Sequence, residues 1–235
     1  MIYIRSIVYT ALMFLSFVVL ATIALLPVPI INYEKRWLIA KTWANLNIFL
    51  SKKLCGLSYN ISGLENVPGQ RCVVFVKHSS VYEIFVLLKH FSPSSWVGKH
   101  ELMYLPIFRG VFKKFKLIPV KRGHGSSEVD KVRAEGKERL LSGNWIIIFP
   151  EGTRMPYNES KRYGLSGAIL ASETGAKVLP ISHNAGKFWR RRGWVKKPGC
   201  IEFVVGKPIE TKGLSLREIN KASKNGQMVM FYHSF

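Results

Sequence analysis

The stretch NWIIIFP at residues 144–150 contains five consecutive apolar residues, WIIIF. A strand with one face in water alternates apolar and polar side chains, and this stretch does not alternate. Both of its faces must therefore be covered, which is typical of a largely parallel sheet between helices. We predict an α/β fold with a largely parallel central sheet flanked by helices.

On either side of this stretch, the chain alternates short apolar runs with helical patterns. The other runs predict strands at CVVFV (72–76), SSWVG (94–98), KVLPISH (177–183) and CIEFVVG (200–206), and a strand or turn at KLIPVKR (116–122). The helical patterns cover residues 81–91, 106–115, 126–141, 165–174 and 214–224. We assign residues 57–235 to one α/β domain and residues 1–56 to a separate helical segment.

The N-terminal segment begins with IVYTALMFLSFVVLATIALL at residues 7–26, an uncharged run long enough to cross a bilayer. A cleaved signal peptide would need a shorter apolar core and a small-x-small cleavage site, whereas this run ends in PVPI. The helix predicted next carries Trp37, Trp43 and several lysines, which suits a membrane interface. The alternative is a soluble helix that packs on the domain. We favour a membrane-associated pair of helices.

The charge balance requires an anionic partner. The chain has 35 Lys and Arg against 14 Asp and Glu, a net charge of +21, which fits nucleic acid, an anionic lipid surface or an acidic protein. The stretch KFWRRRGWVKK (187–197) mixes cations with aromatic residues and favours anionic lipid headgroups. The three cysteines have no CxxC spacing, so we expect neither a disulfide framework nor a metal site, and a reducing compartment fits.

Polar residues follow several of the predicted strands. His78 follows CVVFV, EGTR (151–154) follows WIIIF, and Lys121 and Arg122 end IPVKR. In open parallel sheets, ligands bind beyond the carboxyl ends of the strands, so we expect these groups to share one cleft. His183 ends a further strand, and we interpret it as structural.

The spacing of KHSSVYE (77–83) raises a geometric question. On one continuous helix, five residues would put His78 and Glu83 about 140° apart. If the helix instead begins at Ser79 or Ser80, His78 lies in the turn before it and Glu83 in its first turn, where the carboxylate can orient the imidazole. His78 could then take a proton from a substrate hydroxyl. The alternative is a histidine at a strand end and an unrelated glutamate.

The ordered motifs resemble those of the 1-acylglycerol-3-phosphate acyltransferases, the lysophosphatidic acid acyltransferases. The matching stretches are KHSSVYE, KHELMYLPIFRGVFK, IPVKR, FPEGTR, VLPISHNAG and KKPGCIEFVVGKPI, and the resemblance extends over about residues 72–209. The resemblance implies a glycerolphosphate acyltransferase-like fold and transfer of a fatty acyl group from acyl-CoA or acyl carrier protein to the sn-2 hydroxyl of lysophosphatidic acid, giving phosphatidic acid. It implies no metal and no cofactor beyond the acyl donor, and no nucleic acid partner.

The same resemblance implies roles for individual residues. His78 matches the catalytic base, and Glu83 stands where most of the family has Asp, so this is the H-x4-E variant found in proteobacterial members. The expected substrate-binding residues are Lys121, Arg122, Glu151, Gly152, Thr153 and Arg154. Of these, the arginines are expected to bind phosphate. For the oxyanion donor we expect a backbone N–H near Ser79 or Ser80.

The implied location is the bacterial inner membrane, in contact with anionic lipids and with the catalytic domain facing the cytoplasm. An acyltransferase of another lysophospholipid or of a lipid A precursor is the nearest alternative. A non-catalytic basic protein that coats membranes or nucleic acid would also explain the charge. It would not explain the cations at strand ends.

Overall fold

The computed structural model describes residues 1–27, 31–121 and 125–234, with side chains up to residue 228. The described helices are α1 (Ile2–Leu25), α2 (Tyr33–Cys55), α3 (Tyr82–His90), α4 (Pro106–Lys114), α5 (Gly125–Leu141), α6 (Ser166–Thr174), α7 (Ala185–Phe188) and α8 (Leu216–Ser234). The strands are β1 (Leu57–Ser62), β2 (Val73–Val76), β3 (Ser94–Lys99), β4 (Ile118–Val120), β5 (Trp145–Ile148), β6 (Val178–His183) and β7 (Gly199–Val205).

The seven strands form one sheet in the order β1-β7-β6-β2-β5-β3-β4. Every neighbouring pair is parallel except β6 and β7, which are antiparallel. All four residues of β2 and all four of β5 are buried, as expected for strands covered on both faces. The predicted fold class is therefore confirmed.

Helices cover the two faces of the sheet in separate layers. Val74 and Val76 of β2 point into a core shared with α1, α2 and α3. Val73 and Phe75 point to the opposite face, into a core shared with α5, α6 and α8. Successive strand residues face opposite ways, so one short strand anchors both layers.

Some boundaries differ from the predicted ones. β1, between Gly56 and Gly63, and the short α7 were not singled out from the sequence, and α8 continues well past the predicted end at residue 224. α3 begins at Tyr82 with Val81 as its N-cap, within one residue of the predicted span 81–91, and not at Ser79 or Ser80, the start considered for a contact between His78 and Glu83. Ser80 nevertheless stabilises the start of α3, because its Oγ accepts the Tyr82 N–H at 3.3 Å.

Helix α1 lies along the domain. Its buried residues recur at helical spacing and include Ser6, Tyr9 and Met13. At its C-terminal end, the buried Arg36 of α2 donates to the carbonyl oxygens of Ala24 and Leu26. By length and composition alone, α1 could cross a membrane, and it is the one helix among the described residues that could.

Several aromatic and basic side chains expected at a membrane surface are instead interior. Trp37 packs edge-on against Phe115 with ring centroids 5.0 Å apart, and Trp43 packs against Phe85 at 5.1 Å. The prediction of a membrane-interface position is wrong for Trp37, which is buried. Trp43 is half-buried, so its packing against the domain leaves part of its ring exposed.

The basic stretch 187–197 is likewise divided between interior and surface. Lys196 is buried beside the rings of Tyr9 and Trp189, and it bonds to Ser6 and Thr10 of α1. The cations that remain exposed in this stretch are Lys187, Arg190, Arg191, Arg192 and Lys197, beside the exposed Trp194. Lys196 therefore ties α1 to the domain and does not belong to the exposed basic surface.

The close contact between α6 and the sheet gives a stability prediction. A Cβ on Gly167 would lie 2.5 Å from the buried ring of Phe75 and 3.1 Å from Ile148, which is overpacked. We expect Gly167→Ala to lower the free energy of unfolding by about 1–3 kcal/mol. Gly69→Ala is the matched control, because nothing lies within 4 Å of its Cβ position. Chemical denaturation in detergent measures both, and equal stabilities would contradict the packing described.

Candidate active site

The carboxyl ends of β2 and β5 bring two of the predicted motifs together. Phe75 pairs with Ile148, so the residues three positions further on, His78 and Glu151, follow the two strands side by side. The His78 N–H donates to Glu151 Oε2 at 3.2 Å, and the Met155 N–H donates to the His78 carbonyl at 2.7 Å. The EGTR loop is thus fastened to the backbone of His78 on both sides.

The predicted contact between His78 and Glu83 is present. Glu83 lies in the first turn of α3, and its Oε1 is 2.8 Å from His78 Nδ1. The face of the imidazole stacks on Phe149 with ring centroids 4.0 Å apart. The His78 side chain keeps 15% of its surface exposed, so a ligand can reach it.

The surroundings of Glu83 keep it ionised. Burial alone would raise its pKa, but His183, the hydrogen bond from His78 and the Ser80 N–H together bring that pKa below its usual value. The Ser79 N–H donates to Oε1 at 3.1 Å and the Ser80 N–H to Oε2 at 2.9 Å. The N-terminal end of α3 adds a favourable dipole.

This arrangement fixes the tautomer of the neutral His78 ring. An ionised carboxylate can only accept, so Nδ1 carries the proton that points to Glu83. The remaining nitrogen, Nε2, keeps its lone pair and can accept a proton from a hydroxyl.

A backbone N–H near Ser79 or Ser80 is the oxyanion donor expected from the sequence. Since the N–H groups of Ser79 and Ser80 donate to Glu83, the expectation that they face a substrate oxyanion is wrong.

His183 lies next to the pair formed by His78 and Glu83, although its position in the sequence did not indicate this. Its ring is fully buried, and its Nε2 lies 3.8 Å from Glu83 Oε2. Nε2 donates to the Lys77 carbonyl at 2.7 Å, while Nδ1 accepts the Ala185 N–H at 3.2 Å. One nitrogen donates and the other accepts, so the ring is neutral. Burial lowers the pKa of His183 and favours the same form, despite the opposing effect of Glu83.

A buried lysine supports the loop from behind. Lys77 Nζ donates to the Glu159 carbonyl at 2.6 Å and lies 3.9 Å from Glu151 Oε1. Burial lowers the pKa of Lys77 and raises the pKa of Glu151, although each group partly offsets the shift of the other. Glu151 therefore contacts backbone and Lys77, which fits a role in shaping the pocket.

The other predicted site residues lie along the same edge. Gly152 donates its N–H to the Phe149 carbonyl, which closes a turn, and its φ of +67° is a conformation that favours glycine. Thr153 is half-buried beside it.

Arg154 comes directly before Met155, whose N–H donates to the His78 carbonyl. The Nε of Arg154 is buried and has no hydrogen-bond partner among the described residues. Lys121 is exposed at the end of β4, three strands from β2 and so roughly 14 Å along the edge. Arg122 lies outside the described residues.

Together the fold and this edge describe an α/β enzyme with a carboxylate-oriented histidine beside an arginine-bearing loop. The acyltransferase family model matches residues 58–184. A 1-acyl-sn-glycerol-3-phosphate acyltransferase of Pseudomonas aeruginosa is 34% identical over 95% of this chain and 88% of its own length. One of Saccharomyces cerevisiae is 25% identical over 79% of this chain and 61% of its own. The chain belongs to the 1-acyl-sn-glycerol-3-phosphate acyltransferase family and is an acyltransferase.

The fold has a counterpart among solved structures. The crystal structure of a 1-acyl-sn-glycerophosphate acyltransferase from Thermotoga maritima matches with a TM-score of 0.73 over 98% of both chains. Its sequence identity to this chain is 19%. The agreement extends over nearly the whole chain, so it includes the N-terminal helices as well as the sheet.

The neutral, buried His183 predicts a pH dependence of stability. Its pKa is lowered from the ordinary value of 6.5, so the unfolded chain takes up a proton before the folded chain does. The free energy of unfolding should therefore fall as the pH drops below about 6.5. His183→Gln keeps a donor for the Lys77 carbonyl but does not titrate.

We expect the variant to show a shallower loss than the wild type between pH 6.5 and about 5, above the range in which carboxylates take up protons. Denaturant titrations at several pH values in detergent measure it. Parallel curves for the two proteins would show that His183 is not held neutral.

Proposed function

We propose that this chain transfers a fatty acyl group from a thioester donor, acyl-CoA or acyl carrier protein, to the sn-2 hydroxyl of 1-acylglycerol-3-phosphate. The product is phosphatidic acid. The curated relatives carry the name of this reaction, and that supports the acceptor. The 2.8 Å contact between His78 Nδ1 and Glu83 Oε1 is the observation that carries the mechanism.

The reaction needs a base, and we assign that role to His78. Its Nε2 removes the proton of the acceptor hydroxyl while the oxygen attacks the thioester carbonyl carbon. The tetrahedral intermediate collapses, the carbon–sulfur bond breaks, and the imidazolium returns its proton to the leaving thiolate. Glu83 stabilises the imidazolium between these steps. The thioester is already activated, so no nucleophilic Ser or Cys of the protein takes part.

The acceptor phosphate needs a cationic partner, and we assign it to Arg154. The loop that carries Arg154 is bonded to the His78 backbone, so phosphate and hydroxyl would be held at a fixed separation. A guanidinium can hold a phosphate with two parallel hydrogen bonds. Lys121 would add positive charge at the far end of the same edge.

The acceptor is a lipid, and α1 suggests how the protein reaches it. Beyond the exposed Arg5 near its start, its outward residues are apolar except for Thr22: Ile7, Val8, Ala11, Phe14, Leu15, Val18, Val19 and Ile23. The opposite side of α1 packs on the domain, and Lys196 and Arg36 hold its two ends. We infer that α1 lies in one leaflet of the bacterial inner membrane, with the exposed cations of residues 187–197 on anionic headgroups on the cytoplasmic side.

Activity of dyad variants tests the mechanism. We expect His78→Ala to lower kcat by at least about 100-fold, since general-base catalysis supplies roughly 10²–10⁴-fold. Glu83→Gln should lose most of that activity as well, because a neutral amide stabilises the imidazolium less. Purified protein in anionic vesicles with lysophosphatidate and labelled acyl donors gives the rates.

Other lysolipids in parallel reactions test the acceptor. For the dyad variants, the control is Lys212→Ala, which changes an exposed side chain outside the site and should leave kcat unaltered. Full activity of His78→Ala would remove the proposed mechanism, whereas preference for another lysolipid would change only the acceptor.

A charge on the outer face of α1 tests the membrane assignment. We expect Leu15→Asp to reduce co-flotation with anionic vesicles by several-fold, because burying a carboxylate in the acyl region is unfavourable. The matched control is Leu141→Asp, which places the same charge at an 81% exposed leucine on the opposite helical layer. Both variants should keep activity in detergent micelles. Equal flotation of the two would contradict the orientation.

A further inference from the structure

A cleft of about 380 Å³ lies between α8 and the segment that leads into α6, away from the residues assigned to catalysis. Half of its lining residues are cations, and none is acidic. The lining residues are Arg162, Arg217, Lys221 and Lys224, with Tyr163, Leu165, Asn220 and Asn225. This concave shape and one-sided charge are typical of a site for a small polyanion.

The four cations are not compensated within the part of the chain that the structure describes. There, none of them lies within ion-pair distance of a carboxylate. Glu218, on the same helix, accepts the Ser215 N–H at Oε2 at 2.8 Å, and its pKa is lowered by the Ser215 hydrogen bonds and, to a smaller extent, by Lys221. The positive charge of Lys224 also acts on Lys77 outside the cleft: burial lowers the pKa of Lys77, and repulsion from Lys224 lowers it further. An anion bound here would relieve this repulsion.

The position of the cleft separates it from the proposed membrane surface. Helix α8 packs through Ile219 into the core on the face of Val73 and Phe75, whereas α1 and α2 cover the other face of the sheet. With α1 on the membrane, the cleft faces water. The anion it suits is therefore a soluble molecule and not a lipid headgroup.

A hydrogen-bond chain connects the cleft to the catalytic edge. The Tyr163 hydroxyl in the cleft wall donates to Gln227 Oε1. The amide nitrogen of Gln227 donates to the Phe75 carbonyl at 2.8 Å and to the Ile181 carbonyl at 3.0 Å. Phe75 lies on β2, three residues before His78, which follows the strand. The cleft is thus held in a fixed position relative to the end of β2.

We propose that this cleft binds the phosphate-bearing nucleotide head of an acyl-CoA donor, whose flexible arm extends from there to His78. The identity of the donor rests on the proposed function. Its pyrophosphate and 3′-phosphate carry several negative charges, for which arginine forks and lysines are the usual protein partners. Asn220 Oδ1 is buried without a donor among the described residues, and the amino group of adenine can supply one. An acidic carrier protein would need a broader docking surface than this cleft offers.

A double charge reversal on the exposed side of α8 tests the proposal. In Arg217→Glu/Lys221→Glu we expect KM for acyl-CoA to rise by about 10-fold or more, with kcat and KM for lysophosphatidate unchanged. Transfer from acyl-pantetheine, which lacks the nucleotide, should be unaffected. The control Lys137→Glu/Lys207→Glu makes the same charge change at exposed lysines outside the cleft and should leave all constants unaltered.

Direct binding provides a readout that does not depend on catalysis. Adenosine 3′,5′-bisphosphate should bind the wild type and the control in calorimetry, and should bind the cleft variant at least about 10-fold more weakly. Absence of nucleotide binding to the wild type, or equal binding to the variant, would overturn the proposal. So would a KM increase confined to acyl carrier protein. If the wild type transferred no acyl group but bound the nucleotide through this cleft, the proposed function alone would fail.

Discussion

The structure of the candidate site depends on one buried carboxylate. Glu83 is fully buried, and it accepts hydrogen bonds from the N–H groups of Ser79 and Ser80 and from the His78 ring. These donors belong to the turn between β2 and α3, so the charge that orients the imidazole also shapes the turn that carries it. Losing the charge would remove both effects, because the two N–H groups would then lack their acceptor.

The sequence was sufficient for the features that depend on apolar patterning and on residue spacing. The unbroken apolar run at residues 145–149 predicted a strand buried on both faces. A strand-to-helix turn placed between His78 and Glu83 predicted the contact between their side chains. Features that depend on tertiary packing were not predictable. Trp37 and Lys196 look like surface groups in sequence, but partners far along the chain, Phe115 and Tyr9, bury them. His183 could not be placed beside Glu83 without the strand order.

The exposed positive charge of the chain lies on both helical layers, and we assign it a different binding partner on each side of the sheet. On one side, α1 and the exposed cations of residues 187–197 would meet the membrane, which supplies the lipid acceptor. On the other side, the cleft of α8 would meet a soluble donor. The strand β2 contributes to both cores and ends two residues before His78, so the two substrates would approach the same residue from opposite sides.

The tautomer of His78 tests the central claim most directly. Nitrogen-15 NMR of protein labelled at histidine, with His78→Gln used to assign the signal, distinguishes protonated from unprotonated ring nitrogens. In the neutral ring our account predicts a protonated Nδ1 bonded to Glu83 and an unprotonated Nε2. A neutral ring protonated at Nε2 would contradict it, since that nitrogen could not then accept the proton of a hydroxyl.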